Sequence, residues 1–124
     1  MAKRLLVTGS RKWTNPTAIE AALSTILTQW GNPEDAILIC GGAEGADTMA
    51  ERFWRSKGLP VESHPVTSEE WELYGKAAGP IRNGRMVDSG ADLCVGFIHG
   101  EARGTRDCIR QARKARIAVV EVYG

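Results

Sequence analysis

Apolar residues follow two different periods along this chain. Short, nearly continuous apolar runs occur at Arg4–Thr8 (RLLVT), Ala36–Cys40 (AILIC), Ala91–Phe97 (ADLCVGF) and Ile117–Val122. Runs of this length bounded by glycine read as strands buried on both faces. Between them, apolar residues recur every three or four positions and predict helices over Asn15–Trp30, Ala46–Lys57, Pro80–Ser89 and Thr105–Ala115. The first is the best marked. Asn15 can cap it, Pro16 suits its first turn, Ile19, Leu23, Ile26, Leu27 and Trp30 share a face, and Gly31-Asn32-Pro33 stops it. Pro60–His64 alternates and reads as a short half-buried strand. Residues 65–79 show no period and read as irregular chain or a single turn, and 99–104 as a loop.

Strands alternating with helices predict an α/β domain: one doubly wound, five-stranded, mainly parallel sheet with helices on both faces, Rossmann-like. The 124 residues suffice for one such domain over 1–124 and leave no chain for a second core. In such sheets ligands lie beyond the carboxyl ends of the strands. Three loops lead away from those ends: Gly9-Ser10-Arg11-Lys12-Trp13, Gly41-Gly42-Ala43-Glu44-Gly45-Ala46-Asp47, and His99-Gly100-Glu101-Ala102-Arg103-Gly104-Thr105. Each carries glycine, which lets backbone approach a ligand closely, and two run straight into helices, whose first N–H groups suit phosphate. Arg11, Lys12 and Arg103 add cations; Ser10 and Thr105 add hydroxyls. Neither G-x-G-x-x-G nor Gly-Lys-Ser/Thr is present, so the signal is the convergence of three loops. Asp47 suits either a helix start or a ribose hydroxyl. Trp13 suits either a base or the underside of its loop. Trp71 and Tyr74 lie in a polar stretch that fits a lid or a subunit contact.

Charge sharpens this picture. Net charge is +1, yet residues 1–33 carry +3, residues 34–72 carry −6 and residues 73–124 carry +4. Segregation of this kind suits a small anionic ligand and disfavours a protein that coats nucleic acid. Arg106, Arg110 and Arg113 form one stripe of the last helix and read first as a solvated face. No apolar run approaches the ~20 residues of a membrane span, and the first residues lack the apolar core of a signal peptide, so a cytoplasmic protein is expected. Three cysteines (Cys40, Cys94, Cys108) without C-x-x-C spacing read as buried thiols, and two distant histidines leave little for a metal site.

The motifs Val7–Trp13, Gly41–Asp47, Gly75-Lys76-Ala77-Ala78-Gly79-Pro80-Ile81-Arg82-Asn83, and Gly-x-x-x-Gly-Thr at 100–105 resemble the YspA-like family of the SMF/DprA–LOG (SLOG) superfamily. The likeness runs from residue 5 to about 120. It implies a Rossmann-like fold and binding of a nucleotide or nucleotide derivative, such as a nucleoside monophosphate or an ADP-ribose-like molecule. It places Gly9, Ser10, Arg11, Lys12, Trp13, Gly41, Gly42, Gly45, Asp47, Arg82, Asn83, Gly100, Arg103, Gly104 and Thr105 at the ligand. No cofactor or metal is implied. LOG enzymes of the superfamily cleave the N-glycosidic bond of nucleoside monophosphates with an arginine, matched by Arg82, and a glutamate three residues past the loop threonine. Here that position is Cys108, and Asp107 falls one residue short. Cleavage passes through a cationic sugar that needs a carboxylate, so Asp47 and Glu44, or Glu101, would have to serve with Arg82. The readings are therefore a nucleotide sensor or binding module first, a LOG-like hydrolase second, and a DprA-like single-stranded DNA binder third. LOG relatives are dimers, which implies a homo-oligomer, expected here through the 80–89 helix and Trp71–Gly79.

Overall fold

A parallel sheet divides the interior into two apolar layers, because alternate side chains of each strand face opposite helices. The computed structural model describes residues 2–124. The strands are β1 (Arg4–Gly9), β2 (Ile37–Cys40), β3 (Val61–Ser63), β4 (Leu93–Ile98) and β5 (Val119–Tyr123). The helices are α1 (Pro16–Gln29), α2 (Ala46–Ser56), α3 (Ser68–Tyr74), α4 (Ala78–Asp88) and α5 (Arg103–Lys114), with a 3-10 turn at Gly75–Ala77. Strand order is β3-β2-β1-β4-β5, all parallel.

Leu5 and Val7 of β1 pack with Leu38, Phe97, and Ile19, Leu23 and Trp54 from α1 and α2. Leu6, one residue away on the opposite face, packs with Ile39, Cys94, and Met86, Val87, Cys108 and Ala112 from α4 and α5. Each fully buried Leu, Ile or Val contributes about 1.5–3 kcal/mol, so both layers hold the sheet. Asn15 caps α1 as expected, its side chain accepting from the Ala18 N–H at 3.2 Å. The chain steps outward from β1 to β2 and β3, then returns to lay β4 on the other side of β1. The winding reverses between β1 and β4, so their carboxyl ends flank the crevice where this fold binds ligands.

Several boundaries differ from expectation; β4, for one, begins at Leu93 rather than Ala91. Residues 65–79 contain α3 and the 3-10 turn, which runs straight into α4 two residues before Pro80. The start of α3 is set by a capping box: Thr67 Oγ1 accepts from the Glu70 N–H at 3.1 Å, and Glu70 accepts from the Thr67 N–H at 3.2 Å. No residue of α3 is buried, so it has no apolar period to read. α5 begins at Arg103 rather than Thr105, because Ala102 adopts φ 45° and turns the chain into the helix early. β5 begins at Val119, not Ile117. Among the described residues, no helix is long and apolar enough to cross a membrane.

Candidate functional site

The loops after β1 and β4, with the starts of α2, α4 and α5, enclose a cleft of about 530 Å³. Gly9, Ser10, Arg11, Lys12, Asp47, Arg82, Asn83, Gly100, Arg103, Gly104 and Thr105 all line it, joined by His99 of the third loop and by Thr8, Pro80 and Met86, which the loop reading left out. His99 Nδ1 lies 2.7 Å from the Gly124 oxygen, and the residue lines the cleft.

The two helix starts differ. At α2 the first turn is already engaged: the Ala46 N–H donates to the Ser10 carbonyl at 3.2 Å, and Asp47 occupies the turn. At α5 no side chain caps the helix, so the first-turn amides of Arg103, Gly104 and Thr105 lack intrahelical acceptors. Ala102, just before them, holds a left-handed conformation that costs a non-glycine residue about 1 kcal/mol or more. Open amides, the positive end of a 12-residue helix, and Arg103 and Lys12 on the rim form an anion cradle.

Across the same cleft, Asp47 is 4% exposed. Its Oδ2 accepts from the Gly41 N–H at 3.1 Å, while Oδ1 has no hydrogen-bond partner among the described residues. Burial pushes the Asp47 carboxyl up to about 6, against the opposing pull of the Arg82 guanidinium and of the nearby Gly41 and Ala43 amides. Because the folded value lies above the ordinary 3.8, the native state holds this proton more tightly than the unfolded chain. The contribution is fully present below about pH 4 and is lost as pH rises through about 6, a cost on the order of 3 kcal/mol at neutrality. Asp47→Asn is therefore expected to be more stable than the natural protein at pH 7.5 by about 1–3 kcal/mol, with the gap closing by pH 4. Urea unfolding at the two pH values checks this; an equal or lower stability at pH 7.5 would contradict it.

Arg82, half-buried on α4, ties the loops together. Its Nη1 donates to the Gly41 carbonyl at 2.7 Å and to the His64 carbonyl at 3.5 Å, and its Nε donates to Asn83 Oδ1 at 3.0 Å. Asn83 donates in turn to the Gly104 carbonyl at 3.2 Å and to Asp107 at 3.0 Å, linking α4 to the start of α5.

Several expected ligand residues serve the protein itself. Trp13 lies outside the cleft: it is 3% exposed, meets Phe97 edge-on at 5.4 Å, and donates its indole N–H to the Asn15 carbonyl at 2.8 Å. A wide apolar ring under this loop gains more from the core than from the rim. Gly45 lines no cleft; a Cβ there would stand 2.5 Å from the Ser10 carbonyl oxygen, and its φ is +75°. A Cβ on Gly9 would run into Ala46, and one on Gly41 into the Arg82 guanidinium. These glycines permit close approach, as expected, but of chain to chain. Gly41, Gly42 and Glu44 line a smaller adjoining recess instead of the main cleft.

The other candidate acids are poorly placed for the cleft. Glu44 is exposed in that recess. Glu101 stands on the rim and pairs with Arg103 at 3.3 Å. Asp107 accepts from Asn83 and Gln111. Cys108 is fully buried, and that burial raises its thiol to about 12. The α5 arginines are partly engaged: Arg106 donates to the Glu101 carbonyl at 2.9 Å, Arg110 lies 3.7 Å from Asp107, and Arg113 pairs with Glu121 at 3.0 Å.

Residues 3–72 match the YspA, cpYpsA-related SLOG family. The Gene 61 protein of Mycobacterium phage D29 is 42% identical over 123 residues, covering 95% of this chain and 94% of that protein. In fold, the chain is similar to DNA processing protein A (DprA) from Streptococcus pneumoniae, with a TM-score of 0.70 and 16% identity. That match takes in 99% of this chain but only 51% of DprA, so the chain spans about half of that protein's length.

Proposed function

Because this chain belongs to the YspA, cpYpsA-related SLOG family, we propose that it binds a nucleotide or nucleotide derivative, a nucleoside monophosphate or an ADP-ribose-like molecule, as a sensor or binding module. One observation carries this reading: the uncapped start of α5 shares a single cleft with Asp47, whose buried Oδ1 has no partner among the described residues. A phosphate is the group the open amides would take. A ribose hydroxyl is the donor that Asp47 Oδ1 lacks. Arg11, Arg82 and Asn83 would complete the grip. Exposed Leu73, Tyr74 and Ile81 support self-association through α3 and α4. The partial pairing of the α5 arginines argues against nucleic acid on that face.

A hydrolytic reading has one specific support. Asp47 is a carboxyl inside the cleft with a value near neutrality, which suits proton transfer. The other acids near the cleft are paired, on the rim or in the recess.

The test is calorimetric titration with adenosine monophosphate, ADP-ribose and ribose 5-phosphate. Binding of at least one is expected, and the double variant Thr105→Val, Arg11→Ala should weaken it at least tenfold while remaining folded. Unchanged affinity in the folded double variant would overturn the site. Chromatography of the same incubations should show little or no free base. Sustained release that Asp47→Asn abolishes would replace binding with hydrolysis and name the acid.

A further inference from the structure

Beside the main cleft lies the second recess, of about 260 Å³, and the two share Arg11, Ala43 and Arg82 as lining. The recess is below the ~300–1,000 Å³ usual for a whole ligand. It fits one end of a molecule whose remainder occupies the main cleft. Its remaining walls are Gly41, Gly42, Glu44, Pro65, Val66 and Trp71. The lining is thus a nearly bare backbone wall, a Pro-Val edge, the guanidinium groups of Arg11 and Arg82, the Glu44 carboxylate and one large aromatic ring.

Trp71 has no structural duty that explains its exposure. It lies on α3, which buries no residue, and is 45% exposed. Trp13 and Trp54, by contrast, are buried, and each donates its indole N–H to a backbone carbonyl. Arg82, which lines the same recess, is held by its bonds to Gly41, His64 and Asn83, so its planar group is fixed before any ligand arrives. A planar, electron-rich heterocycle is what an indole face and a fixed guanidinium both attract.

We propose that this recess is the base subsite of the ligand, with Trp71 as its stacking platform and Arg82 as the divider between base and sugar-phosphate. The proposal rests on the nucleotide reading of the main cleft and adds to it the end that confers affinity for an aromatic group. It makes Trp71, outside all three strand-end loops, a specificity-determining residue.

Titration of the full chain with adenosine monophosphate and with ribose 5-phosphate tests it. In the natural protein the nucleotide should bind more tightly than the base-less sugar phosphate. Trp71→Ala should cut that advantage about tenfold, and Trp71→Phe should keep most of it. Both variants should fold, since no residue of α3 is fully buried. Tryptophan emission should change on adding the nucleotide and not on adding ribose 5-phosphate. If Trp71→Ala leaves the ratio of the two affinities as it was, the base subsite is overturned while the phosphate site stands. If the natural protein binds neither probe, the base subsite falls, and if it does not bind ADP-ribose either, the nucleotide reading falls with it.

Discussion

Arg82→Met is expected to weaken binding of a phosphorylated ligand on the order of 100-fold at neutral pH, the largest functional effect of any single change. Arg82 lines both compartments, and its bonds to Gly41, His64 and Asn83 hold three segments in register. A charge-assisted hydrogen bond is worth about 1.5–3 kcal/mol, and losing the guanidinium removes one from the ligand and unseats the loops that hold the rest. The same change removes the cation that restrains Asp47, so the Asp47 carboxyl should rise further above about 6. Arg82→Lys should recover little, because an ammonium supplies charge without the planar fork. Calorimetry of the three proteins between pH 6 and pH 8 measures both effects. Affinity within threefold of the natural value in Arg82→Met would remove Arg82 from the site.

Gly45→Ala should cost about 3 kcal/mol of stability and lower Tm by on the order of 10 °C. The left-handed φ of +75° accounts for part. The rest comes from backbone: the added Cβ would meet the Ser10 carbonyl at 2.5 Å and the Arg11 carbonyl at 2.6 Å, neither of which can rotate away like a side chain. Since Ala46 donates to Ser10 next door, relaxation would also pull α2 from β1. Thermal unfolding decides this, and a Tm within 2 °C of the natural protein would show that the two loops can part freely.

The sheet was legible because parallel strands buried on both faces leave continuous apolar runs, as at 36–40 and 91–97. The helices of the two layers were legible by period. α3 was not, for a stated reason: it buries nothing, and its only signature is Thr67-Ser68-Glu69-Glu70, a capping box that is visible in sequence but not followed by an apolar face. The start of α5 was hidden because an alanine announces nothing about a left-handed φ. Most polar residues of the candidate cleft were named from strand-end logic alone. The glycines and Trp13 were harder, because a loop has no period to say which side faces ligand and which faces core. Gly9 and Gly45 turned out to touch each other's loops, and Trp13 turned inward onto Phe97.

The three buried thiols divide between the two layers: Cys40 packs under α1 and α2, while Cys94 of β4 and Cys108 of α5 lie in the layer between the sheet and α4 and α5. Burial raises all three thiols well above their ordinary range, so in the closed molecule they are protonated as well as shielded. A thiol of this kind reacts only when the helices over it lift, and reaction then reports the opening of that layer and no other. The chain thus carries a separate clock for each side of its sheet. A ligand that bridges Asp47 of α2 and the start of α5, and that the opened layers no longer bind, would slow both clocks at once, by a factor of one plus the ratio of free ligand concentration to Kd.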